Sequence, residues 1–192
     1  MIKTKLPIYL ASKSPRRRKL LKQLGINFKA FSVNSIEDFL DGEHPIDCVK
    51  RLANKKMDIA KNRVNNSIII TADTIVVLKG KVIGKPTSKT DAVKILTQLS
   101  GNVHTVYTGL CVLNQKTDRL LFDFEETEVE FRALNKDEII DYVDGGSPMD
   151  KAGAYGIQDD FGAVFVKRIN GCYYNVVGLP LTKLYSALRK VT

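Results

Sequence analysis

The chain of 192 residues carries a net charge of +9, and 44% of its residues are hydrophobic and 27% charged. This length and composition are typical of one globular domain over residues 1–192, and they exclude a disordered or collagen-like chain. Its apolar runs are far shorter than the roughly 20 residues of a membrane helix. The three cysteines and two histidines indicate neither a disulfide framework nor a histidine-based zinc site, so we expect a cytoplasmic protein without a membrane segment.

Hydrophobic periodicity and turn residues predict strands and helices in largely alternating order. Strands are predicted at 7–11, 28–33, 68–78, 82–83, 103–114, 119–131 and 163–169, and helices at 15–24, 45–64, 92–99, 136–144 and 179–190. Ser14 is the predicted N-cap of the first helix, because Pro15 suits the first helical position. Since βαβ units and hairpin-like neighbours both occur, the sheet is expected to be mixed.

The excess positive charge lies in residues 1–36, which hold nine Lys or Arg and no acid. Such a cluster attracts a polyanion, whether nucleic acid, a membrane surface or nucleotide phosphates, or it forms a solvated helix face. Ser12 and Arg17 flank the junction between the first strand and helix, where free N–H groups and the helix dipole favour anions. The Arg17 guanidinium is expected to point toward the end of the sheet, where its fork fits a phosphate or, alternatively, a core carboxylate.

Asp73 is a single acid within the most apolar stretch of the chain, residues 68–78. A buried carboxylate must be neutralised by a metal ion, by Lys or Arg, or by a hydrogen-bonded water, which suits a base or a metal ligand. The alternative is a structural acid at a strand end. Lys85, between Gly84 and Pro86, could contact phosphate or be an ordinary surface lysine; because no Ser or Thr follows it, the P-loop motif is excluded.

Two further segments allow two interpretations each. Gln158 lies in a glycine-rich loop, where its amide could read a base edge or serve as an ordinary loop amide. The acidic residues within 119–131 could bind a metal ion, although a solvated antiparallel strand explains them better.

Six segments in a fixed order carry one resemblance over nearly the whole chain. They are LASKSPRR (10–17), RLANKK (51–56), ADT (72–74), GKP (84–86), KAGAYGIQ (151–158) and GCYYNVVGLP (171–180). Together they resemble the Maf family, nucleotide pyrophosphatases first named for an effect on septum formation. The resemblance implies an α/β, inosine triphosphatase-like fold of two lobes, with a mixed twisted sheet and flanking helices around a central cleft.

The same resemblance implies a reaction and the residues that perform it. Family members hydrolyse a nucleoside triphosphate between its α and β phosphates with Mg²⁺ or Mn²⁺, which Asp73 and Glu37 would hold. Asp73 takes the position of the proton acceptor that activates water, and Glu37 that of an assisting carboxylate. The implied phosphate-binding positions are Ser12, Arg17, Lys56 and Lys85, of which the two lysines count with the catalytic set. The specificity positions of the subgroup that acts on dTTP and UTP are Arg16, Thr74 and Gln158.

Two alternatives stay open at this point. The substrate could be a modified pyrimidine triphosphate removed before it enters RNA or DNA, a house-cleaning role. A protein that binds nucleic acid or regulates septum formation without catalysis is the alternative function, because the basic N-terminus attracts polyanions. The sequence has no RNA-binding aromatic signature, zinc finger or long basic helix, so nucleic acid is not the expected partner. Family precedent implies a homodimer.

Overall fold

The computed structural model describes residues 2–158 and 161–192. The strands in this part of the chain are β1 (Ile8–Ala11), β2 (Lys29–Phe31), β3 (Ile68–Leu78), β4 (Lys81–Ile83), β5 (Val103–Asn114), β6 (Arg119–Phe131) and β7 (Val166–Gly171). The α-helices are α1 (Pro15–Gln23), α2 (Pro45–Ala60), α3 (Lys89–Leu99), α4 (Lys136–Asp144), α5 (Tyr173–Val177) and α6 (Leu181–Val191). Short 3₁₀ helices cover Ser147–Asp150, Ala152–Ala154 and Phe161–Phe165.

The strands form one mixed sheet, as predicted. Its order is β2-β1-β3-β5-β6-β7, and β4 pairs with β3 off this path. β1 is parallel to both β2 and β3, whereas β4 is antiparallel to β3 and β7 antiparallel to β6. Parallel neighbours require crossover connections, which α1 and α2 provide.

Helix α1 begins where the sequence predicted. The Ser14 hydroxyl accepts a hydrogen bond from the Arg17 amide at 3.4 Å, and Pro15 occupies the first helical position. Leu20 and Leu21 are buried on the face toward the core. The cap and the apolar stripe therefore fix both the start of the helix and the face that carries Arg17 inward.

The described residues fall into two compact units, each built from separate segments of chain. The first comprises residues 1–73, 108–125 and 178–192, and the second residues 74–107 and 126–177. In the first unit, α2 packs Ala53, Met57 and Ala60 against the sheet. The core of the second unit joins α3 and α4 to an aromatic group around Phe131.

Several predicted boundaries were wrong. The strand predicted at 163–169 begins only at Val166, because Phe165 packs its ring against Phe131 and Tyr142 from a 3₁₀ helix. The short helix α5 was missed, since five residues are too few to show helical periodicity. Helix α2 ends at Ala60 rather than at residue 64. Just beyond it, the side-chain amide of Gln115 donates hydrogen bonds to the carbonyls of Lys61 and Val64. In the described part of the chain no helix is long and apolar enough to cross a membrane.

Candidate active site

Two carboxylates converge on one buried ammonium group in the first unit. Asp73 lies at the middle of β3 and is 4% exposed, so the isolated acid of the sequence is buried. Lys56, from the inner face of α2, donates to Asp73 Oδ2 at 2.7 Å. The same Nζ donates to Glu37 Oε1 at 3.1 Å. Lysine was one of the neutralising partners that the sequence allowed for Asp73, and this ion pair offsets the cost of burying both charges.

Arg17 is fixed beside this pair by backbone carbonyls. Its Nε donates to the Gly178 carbonyl at 2.7 Å and its Nη1 to the Ala72 carbonyl at 2.8 Å. Burial lowers the pKa of Arg17, and the negative charges of Asp73 and Glu37 act in the opposite direction. The sequence predicted that this guanidinium points toward the end of the sheet; it instead contacts the middle of β3, at Ala72, which directly precedes Asp73. Two backbone carbonyls and the nearby charges of Asp73 and Glu37 thus surround this guanidinium.

The junction between β1 and α1 orders the other predicted residues of the basic N-terminus. The buried Ser12 accepts a hydrogen bond from the Ser14 amide at 3.1 Å through its hydroxyl, and its carbonyl accepts one from Arg18. Arg16 is half-buried and close enough to Arg17 to lower the pKa of that guanidinium. The end of β1 and the N-terminus of α1 thus meet at Ser12 and Ser14, and that this junction binds an anion stays a prediction.

Three predicted residues belong to the second unit. Thr74 follows Asp73 along β3, Lys85 is exposed after β4, and Gln158 is half-buried in the glycine-rich loop. The Gly153 amide donates to the Gly84 carbonyl at 3.1 Å, so the segment of Lys85 and the loop of Gln158 are joined within this unit. That these three residues surround the same nucleotide as the Asp73 group stays a prediction.

A charged network, which the sequence reasoning did not identify, ties down the segment that carries Glu37. Arg51 on α2 donates through Nε and Nη2 to both carboxylate oxygens of Glu43, at 2.7 and 2.6 Å. It also contacts the Asp38 side chain and carbonyl, and Lys55 binds the same carboxylate at 3.0 Å. The hydrogen bonds from Arg51 lower the pKa of Glu43, and those bonds raise the pKa of Arg51. Two basic residues one helical turn apart on α2 were the signal that could have found it.

Two small residues of the sheet determine how closely α2 lies on it. The Thr71 hydroxyl donates to the Ala53 carbonyl at 2.9 Å, three residues before Lys56. A Cβ at Gly109 of β5 would meet the Val49 carbonyl oxygen at 2.7 Å, so the helix backbone rests directly on this glycine. Both features were missed, because a Thr or Gly inside an apolar strand has no distinctive sequence pattern.

The acidic strand β6 has a structural explanation. Glu130 pairs with Lys167 at 2.7 Å, and Glu128 accepts a hydrogen bond from Asn170 at 3.1 Å, both from the neighbouring strand β7. Within residues 2–158 and 161–192 no group of three or more His, Cys, Asp or Glu could hold a metal ion. The contacts with β7 therefore support the solvated-strand interpretation of β6.

Comparisons with known proteins identify the family of the chain. The family model for Maf-like proteins matches residues 7–191. The dTTP/UTP pyrophosphatase of Thermoanaerobacter sp. (strain X514) is 47% identical over 184 residues, 95% of each chain. That of Clostridium perfringens (strain SM101 / Type A) is 48% identical over 183 residues, 94% of this chain and 95% of that one.

A solved structure also shares the fold. The HAM1 protein from Coxiella burnetii superposes with a TM-score of 0.51 at 15% sequence identity, covering 96% of this chain and 99% of that chain. At that identity the likeness concerns the fold alone, and it agrees with the inosine triphosphatase-like α/β architecture expected from the sequence. With a family match over residues 7–191 and relatives that cover its length at close to half identity, the chain belongs to the Maf-like protein family.

Proposed function

We propose that this chain hydrolyses dTTP and UTP to the nucleoside monophosphate and pyrophosphate. The relatives named dTTP/UTP pyrophosphatase support the reaction and the substrate class. The observation that carries the proposal is the convergence of Asp73 and Glu37 on the Lys56 ammonium, with Arg17 beside them. Hydrolysis of a phosphoanhydride needs positive charge against the phosphates and a carboxylate to accept a proton, and this group provides both.

In the proposed reaction, water adds to phosphorus, the bond between phosphorus and the bridging α–β oxygen breaks, and the proton of the water passes to Asp73. Burial favours this role, because at 4% exposure little bulk water reaches the carboxylate of Asp73 to compete with it for the proton. Lys56 compensates the charge of Asp73 in the resting site and can turn to a phosphate oxygen as negative charge develops there. Arg17 keeps its orientation, because two carbonyls fix it, and we propose that it faces the phosphates from this position.

The residues present also fit a divalent cation. Mg²⁺ and Mn²⁺ prefer oxygen ligands, and Mg²⁺ typically takes one or two carboxylates together with phosphate oxygens and retained waters. Asp73 and Glu37 are such a pair, because their oxygens approach one ammonium at 2.7 and 3.1 Å. We propose that they hold the ion, which, when bound, neutralises phosphate charge.

Pyrimidine selectivity is proposed for Arg16, Thr74 and Gln158, the positions at which this sequence has the residues of the dTTP/UTP subgroup. The phosphate-binding roles of Ser12 and Lys85 belong to the same proposal, as do a single domain over residues 1–192, a homodimer and a cytoplasmic location. Light scattering of the purified chain measures its oligomeric state.

The test is a pyrophosphate-release assay over the eight ordinary nucleoside triphosphates and 5-substituted pyrimidine analogues, with Mg²⁺, Mn²⁺ or a chelator. Wild type is expected to turn over dTTP and UTP with the highest kcat/KM among the ordinary substrates, and only with metal. Asp73→Asn, which keeps the shape of the side chain, is expected to lose at least about a hundredfold in kcat. Full activity in Asp73→Asn, or no release from any triphosphate by wild type, would show the proposal to be wrong.

A further inference from the structure

The segment that carries Glu37 has no apolar anchor of its own. Between Val33, which is buried in the core, and the N-terminus of α2, residues 34–43 form neither helix nor strand, and each is exposed or half-exposed. Its large apolar side chains face solvent, with Ile36 at 78% and Leu40 at 55% exposure. A segment of this kind depends on polar contacts for a defined position.

One face of α2 supplies several such contacts, in addition to the bond from Lys56 to Glu37. Arg51 donates hydrogen bonds to both carboxylate oxygens of Glu43, at one end of the segment. It also donates to the side chain and the carbonyl of Asp38, in the middle of the segment. Lys55, one turn further along the helix, binds Asp38 as well. Asp38 is the next residue after Glu37, so the same helix that presents Lys56 to Asp73 also fixes the backbone beside Glu37.

From these contacts we infer that Arg51 is a positioning residue, which holds residues 34–43 on α2 so that Glu37 reaches the Lys56–Asp73 pair. The inference rests on the proposed function, in which Glu37 is the assisting carboxylate. A planar fork suits this task better than an ammonium, because it binds both oxygens of Glu43 and still reaches Asp38. Arg51 itself makes none of the contacts of the Lys56–Asp73 pair, so its effect must pass through Glu37.

The expected effect follows from that dependence. Residues that orient a ligand to the reacting groups typically contribute about 10–100-fold to metal affinity or activity. Arg51→Met is therefore expected to lower kcat/KM by about tenfold. In a protein that already carries Glu37→Gln, Arg51→Met should cost no more than about twofold, because there is no carboxylate left to position.

The first experiment is this double-mutant cycle, measured as pyrophosphate release from dTTP at saturating Mg²⁺. Lys50→Met is the matched control, since it removes a positive charge from the adjacent position of α2, where Lys50 lies over the Phe122 ring rather than against residues 34–43. Its kcat/KM should stay within about twofold of wild type. Independent, multiplying losses from Arg51→Met and Glu37→Gln would overturn the inference.

The second experiment reads the segment without any activity. Chymotrypsin cleaves after Phe39 and Leu40, both exposed within the segment, and native-state cleavage there should be faster in Arg51→Met than in wild type or Lys50→Met. Glu43→Gln, which weakens the same fork from the segment side, should give the same acceleration and guards against a folding defect specific to the helix variant. Unchanged cleavage in both variants would overturn the inference.

The two readouts separate the possible failures. If wild type releases no pyrophosphate, the proposed function fails, while the cleavage experiment still decides whether Arg51 holds the segment. If wild type is active, Glu37→Gln is impaired and Arg51→Met is not, the inference about Arg51 fails on its own.

Discussion

Replacing Gly109 by alanine tests whether the position of α2 on the sheet controls the Lys56–Asp73 pair. A Cβ at Gly109 would lie 2.7 Å from the Val49 carbonyl oxygen and 2.9 Å from its carbon, whereas carbon atoms in contact are about 3.5 Å apart. The obstacle is helix backbone rather than a flexible side chain, so α2 must move outward by about 0.6 Å.

The free-energy cost follows from this displacement. Overpacking a well-filled core by one methyl group typically costs about 1–3 kcal/mol. For a chain of this size each kcal/mol lowers Tm by about 2–4 °C, so a decrease of about 2–12 °C is expected. Lys56 is two turns after Val49 on the same helix, so a displacement of α2 at Val49 also moves Lys56. The Lys56–Asp73 hydrogen bond of 2.7 Å tolerates little such movement. The kcat should therefore fall as well.

Urea unfolding and pyrophosphate release of Gly109→Ala measure the two effects. Gly145→Ala is the matched control: Gly145 follows α4 with a helical φ of −63°, and a Cβ there meets its nearest neighbour at an ordinary 3.4 Å. The control should change the free energy of unfolding by less than about 0.5 kcal/mol. If Gly109→Ala is equally stable and fully active, the argument that this glycine sets the helix position is refuted.

Three further outcomes are expected. Thr71→Val removes the hydroxyl bound to the Ala53 carbonyl and should lower kcat about fivefold. The loss of stability should be small, because that carbonyl keeps its hydrogen bond within the helix. Thr71→Ser should restore kcat. Burial lowers the pKa of His104 to about 4, so the unfolded chain takes up a proton first as the pH falls below 6.5. About 3 kcal/mol of stability should then disappear between pH 6.5 and 4, and urea unfolding of His104→Gln should lack this loss. Lys56→Met leaves the buried Asp73 without its ammonium and should lower the free energy of unfolding by about 3–5 kcal/mol. Mg²⁺ should then raise the Tm of Lys56→Met by more than it raises the Tm of wild type. An equal Mg²⁺ effect on both proteins would contradict the proposed metal ligands.

The sequence predicted the parts of the site that depend on local pattern. β3 is an uninterrupted apolar run, so its existence and the burial of Asp73 followed from hydropathy. Ser14 and Pro15 fixed the start of α1, and helical spacing then placed Arg17 on the inward face. These conclusions needed only neighbours within about one helical turn.

The contacts that complete the site could not be predicted in the same way. Which cation neutralises Asp73 depends on the packing of α2 against β3, and the sequence offered a metal, Lys, Arg or water with equal justification. Glu37 and the fork of Arg51 lie on either side of residues 38–43, a segment with no periodic pattern to specify its course. For these residues the resemblance to the Maf family supplied the role of Glu37, and the structure supplied Arg51.

The charges of the site lead to one further step. Asp73 and Glu37 together carry two negative charges, and Lys56 and Arg17 carry two positive ones, so the buried group is close to neutral. Neutrality lowers the free-energy cost of burying these ions, because each charge is compensated within a few ångströms. It also means that this group alone offers a triphosphate little net attraction. Under the proposed function, we expect the attraction to come from the other cations of residues 1–36 around the N-terminus of α1 and from a divalent cation bound with the nucleotide. Under the proposed function, the uneven charge of the sequence and the balanced charge of the site are complementary: the basic N-terminus attracts the triphosphate, and the site supplies the carboxylate that we propose as the proton acceptor.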